Sequence, residues 1–197
     1  LVERGADPVR IVVTGPVHYD DLLSLSPDRD ALLRGAGLDP ARPVVLFASQ
    51  PARRLITPAA KRAALRALAG GARQVGAQMV VKAHPLDDDS LGAIVRELDP
   101  PPPVVTEDLY PWLLACDVLA TISSTVVYEA ALARRPALLL EWADNPDVAG
   151  YLADGIGLRP ASPDDVGDAL DRLLHDEAAR AELRARQADF VARHLAG

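Results

Sequence analysis

The sequence predicts an α/β protein: a doubly wound parallel sheet with helices on both faces. Three observations carry that expectation. Apolar runs of strand length alternate with helical segments along the chain. The runs are uniformly apolar, as strands buried on both faces require. Gly and Pro punctuate the joints, so most elements have an end written into the sequence.

The elements follow in order. A first strand is expected over 9–14, closed by Gly15-Pro16. A helix over 20–37 places Leu22, Leu23, Leu25, Leu32 and Leu33 as its apolar positions, with Gly35 and Gly37 as its stop. Asp39-Pro40 is a turn, and 43–49 is a continuously apolar buried strand. Thr57 caps the next helix, with Pro58 at its first position; it runs over 59–69 and ends at Gly70-Gly71. The strand 78–82 meets His84-Pro85, and a helix over 87–98 leads to the proline run at 100–103. A short strand at 104–105, a short helix at 108–115 and a strand at 118–122 come next. Ser124 caps a helix that ends at Ala133, and 137–141 is the last long strand. Two helices, 163–175 and 177–195, close the chain, the first capped by Ser162 with Pro163 behind it.

The 197 residues fit one large domain or a tight pair of small ones, with enough chain to bury a sizeable core, and a single domain over 1–197 is expected. Half of them are hydrophobic, which excludes a disordered chain. A net charge of −7 implies no basic face, so a nucleic-acid partner is not expected. Cys116 is the only cysteine and lies in an apolar helix end, where it reads as a small buried hydrophobe. No signal-peptide pattern and no apolar run of membrane-spanning length is present, and a cytoplasmic protein is the expectation. The chain opens at Leu1 and enters a strand at once, so it reads as a piece of a longer polypeptide.

The informative residues sit at strand ends. In an open α/β sheet the ligand crevice lies outside the carboxyl ends of the strands. Lys82-Ala83-His84-Pro85 ends one apolar run, and Ser123-Ser124-Thr125 ends another. Hydroxyl residues at a helix start, beside its unpaired N–H groups, suit a phosphate. Simple N-capping is the bland alternative, but one cap needs one such residue. Pro85 restricts His84 to extended geometry and so aims a side chain that can donate to a phosphate oxygen or act as an acid. Glu129, among apolar neighbours on the next helical turn, suits ribose hydroxyls. Gln50, Arg53 and Arg54 follow another strand end, where an arginine fork suits a diphosphate. Lys82 could reach a ligand or a carboxylate elsewhere. The segment containing Tyr110 could read a base edge. His18 could face a neighbouring domain, whereas His175 and His194 read as surface residues. No His, Cys and carboxylate cluster has metal-ligand spacing, and no nucleophile–base pair is visible. No metal and no cofactor is expected.

The stretch from Glu107-Asp108-Leu109-Tyr110 through Cys116-Asp117-Val118, Ser123-Ser124-Thr125 and Glu129-Ala130 to Arg135-Pro136 resembles the C-terminal, Rossmann-like domain of GT-B-fold enzymes. Val13-Thr14-Gly15-Pro16 resembles the segment by which the chain enters that domain. Lys82-Ala83-His84-Pro85 is similar to the His-Pro motif of bacterial sialyltransferases, capsule polysaccharide transferases and CDP-glycerol glycerophosphotransferases. The non-hydrolysing UDP-N-acetylglucosamine 2-epimerases share it. The resemblance implies a domain that binds a nucleotide-activated sugar, linked to CMP, CDP or UDP, and a part in polysaccharide biosynthesis. It implies that His84 and the serines contact phosphate, with His84 the catalytic candidate, and that Glu129 holds ribose. The epimerases usually carry Ser-Gly-Gly where this chain has Ser123-Ser124-Thr125, which favours a transferase.

The resemblance also implies an N-terminal acceptor domain outside this chain, so the chain alone is expected to bind a nucleotide without turnover. The expected reaction is a metal-independent displacement at the sugar's anomeric carbon, with electrostatic stabilisation of the leaving phosphate. The alternatives are an epimerase-like isomerase and a non-catalytic nucleotide-binding or interaction domain. A flavodoxin-like response module is disfavoured because no acidic pair ends the first strand.

Overall fold

The computed structural model describes residues 7, 18–52, 56–142 and 150–195. The strand expected over 9–14 and the pair Arg53 and Arg54 lie outside the described residues.

Five strands form one parallel sheet in the order β3-β2-β1-β4-β5. They are β1 (Val44–Ala48), β2 (Gln78–Lys82), β3 (Val104–Val105), β4 (Val118–Thr121) and β5 (Ala137–Leu139). Every strand position except Gln78 and Val104 is buried, as the continuous apolarity predicted. Successive side chains point to opposite faces. Val45, Phe47, Met79, Val81, Val118 and Ala120 therefore enter one core, with α3 (Pro58–Gln74), α4 (Asp89–Arg96) and α7 (Val166–His175). Val44, Leu46, Val80, Leu119 and Leu139 enter the other, with α1 (His18–Ser24), α2 (Arg29–Gly35), α5 (Leu109–Ala115) and α6 (Val126–Leu132). The last helix, α8 (Glu177–His194), gives Leu183 to the first core and Phe190 to the second. The fold is thus α/β and Rossmann-like, with helices on both faces. Strand order reverses between β1 and β4, and the crevice of such a sheet lies outside the carboxyl ends of those two strands.

The expected helix 20–37 is two helices. Pro27 has no N–H to donate and disfavours helical geometry at Ser26, so α1 stops at Ser24. Asp28 restarts the chain as α2 by accepting the Ala31 N–H at 3.0 Å. Arg29 then ties α2 to the far end of the sheet, donating to Ala115 O, Pro40 O and Asp117 Oδ2.

Gly70-Gly71 does not end α3, which continues to Gln74. Gly71 is there because α7 approaches: a Cβ on it would lie 2.9 Å from both Gly167 N and Val166 Cγ1. A Cβ on Gly70 would meet nothing within 4 Å. Gly70→Ala is therefore expected to stabilise the protein by up to about 1 kcal/mol, the helix-propensity gain. Gly71→Ala meets backbone, and overpacking of about 1–3 kcal/mol should outweigh that gain. Urea denaturation of the two variants checks the opposite signs.

Cys116 is fully buried, and burial pushes its thiol up to about 12, consistent with a small hydrophobe rather than a reactive group. Among the described residues no helix is long and apolar enough to cross a membrane.

Candidate functional site

The ends of β1, β2 and β4 converge on one cleft. Parallel pairing sets Ala48 of β1 beside Lys82 of β2, and Phe47 beside Ala120 of β4. The segments that leave these strands, Ser49-Gln50, Ala83-His84-Pro85 and Ile122-Ser123-Ser124, therefore emerge side by side. A cleft of about 300 Å³ opens among them, lined by Gln50, Pro51, Ile56, His84, Ser123, Ser124 and Thr125. Five of the predicted site residues meet here.

Gln50 locks the two central strand ends together. Its Oε1 accepts the Ser123 N–H at 2.9 Å and lies 3.3 Å from the Thr121 hydroxyl, which also donates to Ala48 O at 3.1 Å. These contacts assign the amide oxygen inward. The Nε2 group, with two donors, is left for the cleft.

His84 is fixed as firmly. Its backbone N–H donates to Asp87 Oδ2 at 2.8 Å, and its carbonyl accepts the Asp87 N–H at 2.9 Å. The Leu86 N–H donates to His84 Nδ1 at 3.0 Å. A ring nitrogen that accepts carries no proton, so the neutral ring holds its proton on Nε2. Asp87 is held in turn: Lys61 of α3 forms a 2.5 Å ion pair with Asp87 Oδ1, and the two side chains are 2% and 5% exposed.

The hydroxyl run behaves differently from the expected cap. α6 begins at Val126 with Thr125 at its cap position, and Thr125 makes no side-chain capping bond. Ser124 Oγ accepts the Val126 N–H only at 3.4 Å. Most of the hydroxyl capacity of Ser123, Ser124 and Thr125 is therefore not spent on capping α6. The cleft thus collects the imidazole Nε2–H, an amide NH2 and three hydroxyls. No carboxylate is among its described lining residues. That set of donors suits an anion.

The remaining predicted residues lie elsewhere. Lys82 is buried and donates to Ala83 O at 2.5 Å. Burial lowers its pKa, and the negative charges of Glu107, Asp108 and Asp87 oppose that shift. It is not among the residues lining the cleft. Glu129 is buried on α6. Tyr110 lines a separate hollow with Asp21, Ser24, Leu25 and Asp108. Glu129 and Tyr110 nonetheless share one neighbourhood. Burial raises Tyr19 from 10.0 to about 12, with the Glu129 charge as the next cause. Burial and Glu129 also raise Tyr110. Arg53 lies outside the described residues.

The folded protein holds the Tyr19 proton more tightly than the unfolded chain does. The associated stabilisation is complete below about pH 10 and is lost as pH rises through about 12. An ultraviolet tyrosinate titration should show a component near 12 that disappears in Tyr19→Phe; its persistence there would assign it to another tyrosine.

Lys61 and Asp87 were not legible as site residues. A signal for Lys61 existed. It lies in phase with Ala64, Leu65, Leu68 and Ala72, the buried face of α3, and a lysine on that face needs a buried partner. Among the described residues no group of three or more His, Cys, Asp or Glu could hold a metal ion.

No protein-family model and no curated protein sequence matches the chain. Solved structures match by fold. One is the wall teichoic acid polymerase TagF, 18% identical, with a TM-score of 0.67, covering 96% of this chain and 49% of that one. Another is the UDP-GlcNAc 2-epimerase of Neisseria meningitidis bound to UDP-GlcNAc, 13% identical, with a TM-score of 0.65, covering 98% of this chain and 57% of that one. A third is WaaG, a glycosyltransferase involved in lipopolysaccharide biosynthesis, 17% identical, with a TM-score of 0.62, covering 95% and 53%. The chain spans about half the length of these structures. At such identities the likeness is one of fold: the chain shares the Rossmann-like architecture found in GT-B glycosyltransferases and UDP-GlcNAc 2-epimerases.

Proposed function

We propose that this domain binds a nucleotide-activated sugar through its phosphates and serves as the donor-binding part of a glycosyltransferase. The observation that carries the reading is the cleft at the β1/β4 switch point. Donors from three strand ends converge there, and no carboxylate is among the described lining residues. His84 Nε2–H, the Gln50 amide and the hydroxyls of Ser123, Ser124 and Thr125 would hold the phosphate oxygens. Glu129, with Tyr19 and Tyr110 close to its charge, would lie toward the ribose and base. Arg53, three residues after Gln50 in the sequence, would add a cation to the diphosphate. Lys82, outside the cleft lining, would act on the ligand only through its charge. Among the structures of like fold, one holds UDP-GlcNAc and another, MnaA of S. aureus, holds UDP.

In the transfer reaction the bond between the anomeric carbon and the leaving phosphate oxygen breaks as the acceptor oxygen attacks. Negative charge then grows on that phosphate. Donors fixed before the reaction stabilise such charge without reorganising. Here the Leu86 and Ser123 N–H groups fix the imidazole and the amide. The acceptor site and the base that takes the acceptor proton would be supplied by a further domain, for which about half the length of the like structures leaves room.

An epimerase role is the second reading, favoured by the fold match to those enzymes. The hydroxyls of Ser124 and Thr125 favour a transferase, on the resemblance by which epimerases usually carry Ser-Gly-Gly at these positions.

Thermal unfolding with UDP, CDP, CMP and uridine tests the binding claim. A ligand that binds only the native state raises the melting temperature by mass action. At least one of the nucleotides should do so, and uridine, which lacks phosphate, should not. A folded protein unmoved by all three nucleotides would overturn the proposal and favour a non-catalytic interaction domain.

A further inference from the structure

We infer that the buried pair Lys61–Asp87 is a positioning device for His84: it locks the turn after β2 so that the imidazole is presented as an Nε2–H donor. The argument starts from burial. Both side chains are nearly inaccessible, and one Asp87 oxygen is taken by Lys61 Nζ. The other oxygen accepts the backbone N–H of His84 at 2.8 Å. The Asp87 N–H returns a bond to His84 O, so the two residues close a tight reciprocal turn. Leu86 lies inside that turn, and its N–H is thereby held 3.0 Å from His84 Nδ1.

The order of control is thus α3 to Asp87, Asp87 to the turn, and the turn to the ring. Leu86 contributes only its backbone to the ring; the residue is 65% exposed. Without the Asp87 side-chain acceptor, only the backbone bond from the Asp87 N–H to His84 O still closes the turn that holds the Leu86 N–H on Nδ1. The ring would then exchange between tautomers, and part of the population would offer the cleft an acceptor where an anion needs a donor. Lys61 sets the position of Asp87 and neutralises a carboxylate that would otherwise be buried alone.

The inference rests on the nucleotide reading only for what His84 donates to. Its test needs no ligand. Nitrogen-15 NMR of the histidine rings, at a pH where His84 is neutral, reports which nitrogen holds the proton, and His84→Gln assigns the signal. The native protein should show a single Nε2–H tautomer. Asp87→Ala should show a tautomer mixture and at least a tenfold loss of UDP affinity. Asp87→Ala could fail to fold, so the double variant Lys61→Met with Asp87→Asn is the second arm. Asn keeps an oxygen for the His84 N–H and removes the need for the buried cation. It should fold, keep the single tautomer and bind UDP within about threefold of the native protein.

A mixed tautomer in the native protein overturns the inference. So does a single Nε2–H tautomer in folded Asp87→Ala, or a mixture in the folded double variant. Failure of the native protein to bind any of UDP, CDP and CMP, with the Nε2–H tautomer intact, counts against the nucleotide reading and leaves the positioning role standing.

Discussion

Lys61→Ala should lower the free energy of unfolding by about 3–5 kcal/mol, the range for removing one partner of a buried ion pair. The reason is the carboxylate left behind. Asp87 is 5% exposed on its side chain, and its second oxygen is committed to the His84 N–H, so it cannot turn out to solvent without breaking the turn. Surface pairs set the contrast. Arg66 with Glu97, at 61% and 36% exposure, lies in the class whose loss costs less than about 1 kcal/mol. Equilibrium urea denaturation of Lys61→Ala and Arg66→Ala measures both. Equal, small losses would show that water reaches Asp87 in solution and that the pair is not the anchor described here.

His84→Ala should weaken nucleotide binding by roughly tenfold to a hundredfold, since a hydrogen bond to a charged group contributes about 1.5–3 kcal/mol. Stability should change far less. The ring is half-buried and takes one N–H, from Leu86, which lies on an exposed turn. A folded His84→Ala protein with native affinity for UDP would remove the imidazole from the site. The comparison with Lys61→Ala separates two roles: one residue serves the ligand, and the other serves the turn that carries it.

The architecture was legible because the strands are continuously apolar. Runs such as Val44–Ala48 and Gln78–Lys82 have no solvent face, and only a sheet covered on both sides can bury them. Helix limits were less legible. Gly70-Gly71 reads locally as a stop, yet Gly71 serves the close approach of α7, a partner almost a hundred residues later in the chain. Pro27 was the reverse case: it carried a local break signal that the leucine pattern on either side outweighed in the reading of 20–37.

The strand ends that carry His84, Gln50 and Ser123–Thr125 could be placed from sequence, because an open α/β sheet has its crevice on that edge. What periodicity does not encode is orientation within the cleft. The inward turn of the Gln50 oxygen depends on the Ser123 N–H, 73 residues away. The tautomer of His84 depends on Asp87, and Asp87, outside any helix, depends on Lys61 of α3. Lys82 stands apart. Its place beside His84 leaves a ligand or a carboxylate partner open; the side chain is buried, donates to Ala83 O and lies outside the cleft lining.

Isothermal titration calorimetry with UDP, CDP and CMP against uridine and cytidine bears on the phosphate cleft more directly than any other measurement. Saturable binding of at least one nucleotide, no binding of its nucleoside and at least a tenfold loss of that binding in Ser124→Ala are the expected results. A folded native protein that binds none of the three nucleotides more tightly than its nucleoside, or a Ser124→Ala variant with native nucleotide affinity, would contradict a phosphate site at the ends of β1, β2 and β4.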